Sequence, residues 1–183
     1  MRIIFLLLLT SVCSWSQEHH DEHSMGEHHR EYKHSIALML GHSHIFQGRD
    51  QEGAKVLNLP SIAIDYNYEL SVSWSIGLHN DLIFDTFFVD RHLSSGDEEV
   101  LEREYPVTSV LMVGYRLKHF WLLGVGFGGE FAAGENLLVT RIGTEFEFPL
   151  SAHGWELITG INYDIKWDAY DVWNLTLGVA KKF

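Results

Sequence analysis

The sequence lacks most of what would stabilise a small exported domain by covalent or helical means. Of 183 residues one is cysteine, Cys13, so no disulfide can form within the chain. Three prolines, with sixteen glycines in no G-x-y period, exclude a collagen-like chain. Beyond the N-terminal segment no apolar run approaches the ~18 residues of a helical membrane span, and the mean hydropathy is near zero, at -0.04. Cations are scarce: 13 Lys and Arg stand against 25 Asp and Glu, a formal net charge of -12. Phosphate recognition needs clustered cations, so nucleic acid is not an expected partner. What is abundant is apolar and aromatic residues, 46% and 13% of the chain, which excludes a wholly disordered polypeptide. The length suits one domain and is short for two. Histidine, with 12 copies, is over-represented.

Residues 1–16 read as a secretory signal peptide. Met1-Arg2 supplies a positive start, residues 3–10 an apolar stretch prolonged by Val12, and Ser14 and Ser16 the small residues of a cut before Gln17. The stretch is too short to span a bilayer. Acylation of Cys13 is the alternative, but Val12 stands where a lipobox has Gly, Ala or Ser. Cleavage before Gln17 leaves a chain without cysteine.

Residues 17–32 form a histidine and acid tract. His19, His20, His23, His28, His29 and, just beyond it, His34 alternate with Glu18, Asp21, Glu22, Glu27 and Glu31. Almost no aliphatic residue is present to offset the entropy of ordering, so a disordered tail is expected. Neutral imidazole with neighbouring carboxylates is a ligand set for Zn, Ni or Cu(II), and the six histidines are the candidate metal ligands. His19 and His23 would share a face if the tail turned helical, a spacing that zinc helices use. The competing reading is a solvated acidic linker.

From residue 33 the period becomes two. Eight segments alternate apolar and polar, including Ile36, Leu38 and Leu40; Ile62, Ile64, Tyr66 and Tyr68; Val72, Trp74, Ile76 and Leu78; and Leu111, Val113 and Tyr115. Trp121 to Phe131, Leu138 to Phe148, Trp155 to Trp167 and Trp173 to Phe183 repeat the pattern, which is that of strands with one apolar face. The third segment is expected to continue through Phe84 to Phe88, followed by a polar loop over 90–104. Short links at 69–70, 117–118 and 149–154 alternate with longer ones, as in membrane barrels.

Alternation alone leaves open a soluble lipocalin-type barrel with its apolar face inward, binding an apolar ligand. The opposite face is rich in Ser and Gly, which suits a narrow interior more than a solvated exterior. Trp155 and Trp167 are twelve residues apart on one face. That is ~40 Å along a strand at ~3.3 Å per residue. At a tilt of ~40° the height is ~30 Å, enough for two aromatic girdles around a ~25 Å apolar band.

The last strand, Trp173, Leu175, Leu177, Val179 and terminal Phe183, resembles the C-terminal signal of bacterial outer-membrane β-barrels, which the barrel-assembly machinery reads; Lys181 departs from the usual apolar residue. Residues 33–183 resemble the small eight-stranded outer-membrane barrels of the OmpX and OmpA-barrel type. The resemblance implies an all-β, eight-stranded antiparallel up-and-down transmembrane barrel in the outer membrane of a Gram-negative cell. It would be a monomer in contact with outer-membrane lipid, with its N-terminal tail in the periplasm.

The inward parity carries Asp65, His79, Asp81, Arg116, Glu130, Arg141, Glu145, Glu147, Glu156, Asp164 and Lys166. In a lumen just wide enough for side chains such charges are expected to pair, with Arg141 as anchor because its fork holds two carboxylates. A non-enzymatic structural or binding barrel is the leading functional expectation. The alternative is a lipid-modifying enzyme, for which His42, Ser43 and His44 at the end of the first strand, or Asp90, His92 and Ser94 in the third link, would supply base and nucleophile.

Overall fold

The computed structural model describes residues 32–50, 53–92, 98–151 and 153–183. The expected signal segment and five tail histidines, His19, His20, His23, His28 and His29, lie outside the described residues, as does Ser94. The alternating segments form ten strands: β1 (His34–Asp50), β2 (Gly53–Glu69), β3 (Trp74–Ile83), β4 (Thr86–His92), β5 (Glu98–Glu104), β6 (Val107–Lys118), β7 (Trp121–Phe131), β8 (Leu137–Ser151), β9 (Trp155–Lys166) and β10 (Asp171–Lys182).

Eight of them make a closed antiparallel barrel. The order is β10-β9-β8-β7-β6-β3-β2-β1, and β1 pairs back onto β10 from Ser35↔Lys182 to Ile45↔Val172. His34 and Phe183 exchange backbone hydrogen bonds of 3.1 and 2.8 Å, so the seam is laced to the final residue. Closure leaves none of these eight strands as a free edge, which is what a bilayer demands of backbone polar groups.

The apolar face points outward. Leu40, Ile64, Leu111, Val125, Ile142 and Leu177 are each more than half exposed along the middle of their strands. Trp74, Tyr115, Phe148, Trp155 and Phe183 ring the barrel at the short-turn end, and Phe127, Phe131, Trp167 and Trp173 at the other. Leaving such side chains in water forfeits roughly 1.5–3 kcal/mol each, and a hydrocarbon layer removes that cost. The inward-apolar lipocalin arrangement is thereby excluded.

Short turns join β2 to β3, β6 to β7 and β8 to β9. In the last of these, Gly154 has φ +80°, and a Cβ there would lie 2.7 Å from the Lys182 carbonyl oxygen, so only glycine fits. At the opposite end the structure departs from the expected continuous third segment. β3 stops at Ile83, the chain bends at Phe84-Asp85, and β4 and β5 form a hairpin paired from Thr86↔Glu104 to His92↔Glu98. This hairpin takes the place of the polar loop expected over 90–104. β4 also pairs with the projecting top of β1 at Gly48↔Val89 and Arg49↔Phe88, on the side that β10 occupies lower down. Reaching that side from β3 carries the chain across the barrel mouth. The gain is burial: Phe87 and Val89 enter an apolar cluster with Ile45, Ile83, Leu137, Tyr170 and Val172.

If the outward face meets hydrocarbon, Leu177→Lys at mid-strand should destabilise the barrel by ~2–4 kcal/mol in lipid vesicles, measured by urea unfolding. A cost below ~0.5 kcal/mol, ordinary for a water-exposed site, would contradict a lipid-facing position.

Candidate functional site

The lumen holds the chain's chemistry, because successive inward positions on eight strands converge there. Near the outer mouth Arg103, from the hairpin, is fully buried against Glu130 of β7, with Nε and Nη2 at 2.8 and 2.6 Å from Oε1. Its Nη1 donates to the Glu135 carbonyl at 2.6 Å. The same Glu130 receives Lys166 Nζ at 2.6 Å and the Tyr170 hydroxyl at 2.8 Å. Burial, and then the adjacent Glu130 charge, push the Tyr170 hydroxyl well above the usual phenol range, so it remains a donor. Outside this layer Arg91 ties the hairpin to two further links, through Asp168 O at 2.6 Å and Glu135 Oε2 at 2.7 Å. The hairpin is a strap across the mouth, fastened by charge-assisted bonds and floored by the apolar cluster.

The middle layer centres on Arg141 of β8. Its Nε and Nη2 donate to the two oxygens of Asp164 at 2.6 and 2.7 Å, and its Nη1 lies 2.6 Å from Asp81 Oδ2. Asn174 also donates to Asp164, at 3.3 Å. Each group is nearly or fully buried. A guanidinium shared by two carboxylates offsets a desolvation cost that either partner alone could not bear. Toward the short-turn end, Arg116 pairs with Glu147 at 2.8 Å and Glu69 at 3.2 Å, and Lys182 with Glu156 at 3.1 Å and Glu147 at 3.2 Å.

Between these layers sit Asp65, His79 and Glu145. His79 Nδ1 lies 3.3 Å from Asp65 Oδ2 and 3.5 Å from Glu145 Oε1. All the lumen residues named from the sequence thus face inward, but in separate layers. The sequence reading missed Glu69, Arg103, Tyr170 and Lys182. Glu69 and Lys182 share the inward parity of their strands and could have been found by counting on. Arg103 and Tyr170 lie in what read as links, where parity carries no information.

Among the described residues, His42, Ser43 and His44 do not form a catalytic set. Ser43 points into the lumen, 2.6 Å from Asn174 Oδ1 and 3.2 Å from Ser61 Oγ. His42 and His44, at alternate positions, lie on the outer face with rings 4.8 Å apart. The sheet therefore separates this hydroxyl from both imidazoles. Asp90 pairs with Arg49 at 2.8 Å. His34, the one described tail-ligand candidate, is built into the seam, stacked on Phe183 at 5.7 Å and hydrogen-bonded to the Tyr66 hydroxyl at 2.7 Å.

No family model matches the sequence, and no curated protein matches it. Solved structures do. The crystal structure of Neisserial surface protein A is similar with a TM-score of 0.51 at 11% identity, over 82% of this chain and 97% of that one. The outer-membrane protein OprG from Pseudomonas aeruginosa gives 0.51 at 13% identity, over 83% and 97%. The fold is that of the small eight-stranded outer-membrane barrels. A third member of that set, the outer-membrane protein AlkL in DMPC bilayers, gives 0.50 at 14% identity, over 91% of this chain and 96% of that one.

Two variants test the layered lumen. Arg141→Ala, which strands Asp81 and Asp164, should destabilise by on the order of 3–5 kcal/mol, and Arg141→Lys should recover only part of it. Urea unfolding that matches the parent for both variants would contradict the shared-fork reading. Arg103→Ala should leave the barrel folded but release the strap, seen as faster protease cleavage within residues 86–104. Unchanged cleavage would mean that Arg103 does not hold the hairpin down.

Proposed function

We propose that the chain is a non-enzymatic outer-membrane barrel with a structural or binding role, acting outside its lumen rather than through it. The observation that carries this reading is that the lumen is filled. Paired charges occupy it in layers, and the β4–β5 strap with its apolar floor covers the outer mouth. Eight strands leave room for side chains and little else. Closure leaves no barrel strand edge for lateral pairing, which supports a monomer surrounded by outer-membrane lipid. The terminal aromatic strand supports insertion by the barrel-assembly machinery.

In this reading the short-turn end and both termini face the periplasm, and the strap faces outward. The surfaces left for recognition are the strap, whose β5 carries Glu99, Glu102 and Glu104, and the histidine-rich tail. The tail's ligand density supports uptake of Zn, Ni or Cu ions on the periplasmic side.

Two measurements test this. In planar bilayers the refolded protein should show no steady conductance; a stable open level would overturn the plugged lumen. By calorimetry, replacing His19, His20, His23, His28 and His29 with Gln should remove most of the Zn(II) and Ni(II) bound by the full chain. Binding to the unsubstituted tail should weaken as pH falls below ~6.5, because imidazole must be neutral to ligate. Metal uptake unaffected by these substitutions would leave the tail an acidic linker.

A further inference from the structure

The lumen's carboxylates outnumber its arginines and lysines, and the two left without such a partner are neighbours. Among the described residues, neither Asp65 nor Glu145 has an arginine or lysine within ion-pair distance. Both are buried, and between them stands the His79 ring, only 3% exposed. Its orientation is set from the far side: Nε2 lies 3.0 Å from Asn67 Oδ1, an acceptor, so Nε2 carries the proton. Asn67 reaches that position because Gly77 has no side chain; a Cβ there would come within 2.0 Å of Asn67 Oδ1. In the neutral ring the lone pair of Nδ1 is then aimed at the two carboxylates, and among the described residues Nδ1 has no hydrogen-bond partner.

A neutral imidazole facing two buried carboxylates is a repulsive arrangement unless something positive lies between them. We propose that Asp65, His79 and Glu145 form a divalent transition-metal site inside the barrel, and that its spacing fits Zn(II). Zinc bonds of about 2.1 Å to nitrogen and oxygen set tetrahedral ligand-to-ligand edges of about 3.4 Å. The distances from Nδ1 are 3.3 and 3.5 Å, and the three ligand atoms all lie within 4.8 Å of one another. Two carboxylates and a neutral imidazole balance the charge of one divalent ion. The hydrogen bond from Nε2–H to Asn67 is the outer contact by which metal-bound histidines are held.

A fourth ligand has a place. A cavity of about 20 Å³ adjoins His79 and Glu145 and is lined also by Asn67, Ser75, Gly114 and Asn162. That is room for one water, and Asn162 Oδ1, buried there without a partner among the described residues, is available to accept a hydrogen bond from it. The cavity extends toward the short-turn end, where Ser75 and Gly114 line it.

The test uses the full chain with His19, His20, His23, His28 and His29 changed to Gln, so that the tail cannot supply the zinc. After refolding with Zn(II) and desalting, one zinc per chain should remain by atomic emission. Co(II) in its place should give the visible bands of a four-coordinate site. His79→Gln, Asp65→Asn and Glu145→Gln in the same background should each lower zinc affinity at least tenfold, with folding checked by heat-modifiability on a gel. A folded, tail-substituted chain that retains no zinc would overturn the site, whatever the other variants do. So would zinc retained equally by His79→Gln. Nitrogen NMR showing both His79 ring nitrogens protonated in zinc-loaded protein would overturn it too, by assigning the positive charge to imidazolium.

Discussion

Closure of the backbone ladder is the constraint on which the other features depend. A strand in hydrocarbon has no water for its N–H and C=O groups, and each group left unpaired costs several kcal/mol. The pairing of β1 with β10, carried as far as His34 and Phe183, removes the last open edge. Once eight strands close, the interior is narrow, and every second residue must enter it whatever its chemistry. The outer surface is then free to be largely apolar, as it is along the middle of the strands.

The narrow interior explains the composition of the inward face. Small residues occupy positions where strands and side chains approach closely, as Gly77 does beside Asn67. Where charged residues enter, they are stacked along the axis so that each carboxylate meets an arginine or lysine: Arg103 and Lys166 with Glu130, Arg141 with Asp81 and Asp164, Arg116 and Lys182 with Glu69, Glu147 and Glu156. The layer of Asp65, His79 and Glu145 breaks this rule, and that exception is what gives it a chemical meaning. In a site without solvent, charge imbalance is a stronger pointer to a ligand than the mere presence of histidine.

The strap adds a second level of closure. It uses the one long connection of the barrel, and it is fastened by side chains from three directions: Arg103 into the lumen, Arg91 to the links at Glu135 and Asp168, and the β4 backbone to β1. A loop of this length would ordinarily be mobile. Here the burial of Phe87 and Val89 ties it to the barrel rim. The mouth is therefore sealed by apolar packing together with ion pairs, and the lumen below it by ion pairing.

Much of this was legible in the linear order of residues. A period of two, repeated over eight segments, specifies which side chains share a face, because alternation is a local property of extended backbone. It therefore determined the eight barrel strands, the inward placement of Asp65, His79, Arg141 and Asp164, and the aromatic rings marked by Trp155 and Trp167. It could not say which face met lipid, since an inverted barrel has the same period. Nor could it reach residues outside the alternation. Arg103 and Tyr170 act through contacts made by links, and the turn of the chain at Phe84-Asp85 follows from an apolar cluster assembled by five separate segments. The pairing of Arg141 with Asp81 and Asp164, and the isolation of Asp65 and Glu145 beside His79, were decided only by inter-strand register and barrel closure. Parity along one strand is set by neighbouring peptide units, whereas the height at which two strands bring their charges together is set by every hydrogen bond around the ring.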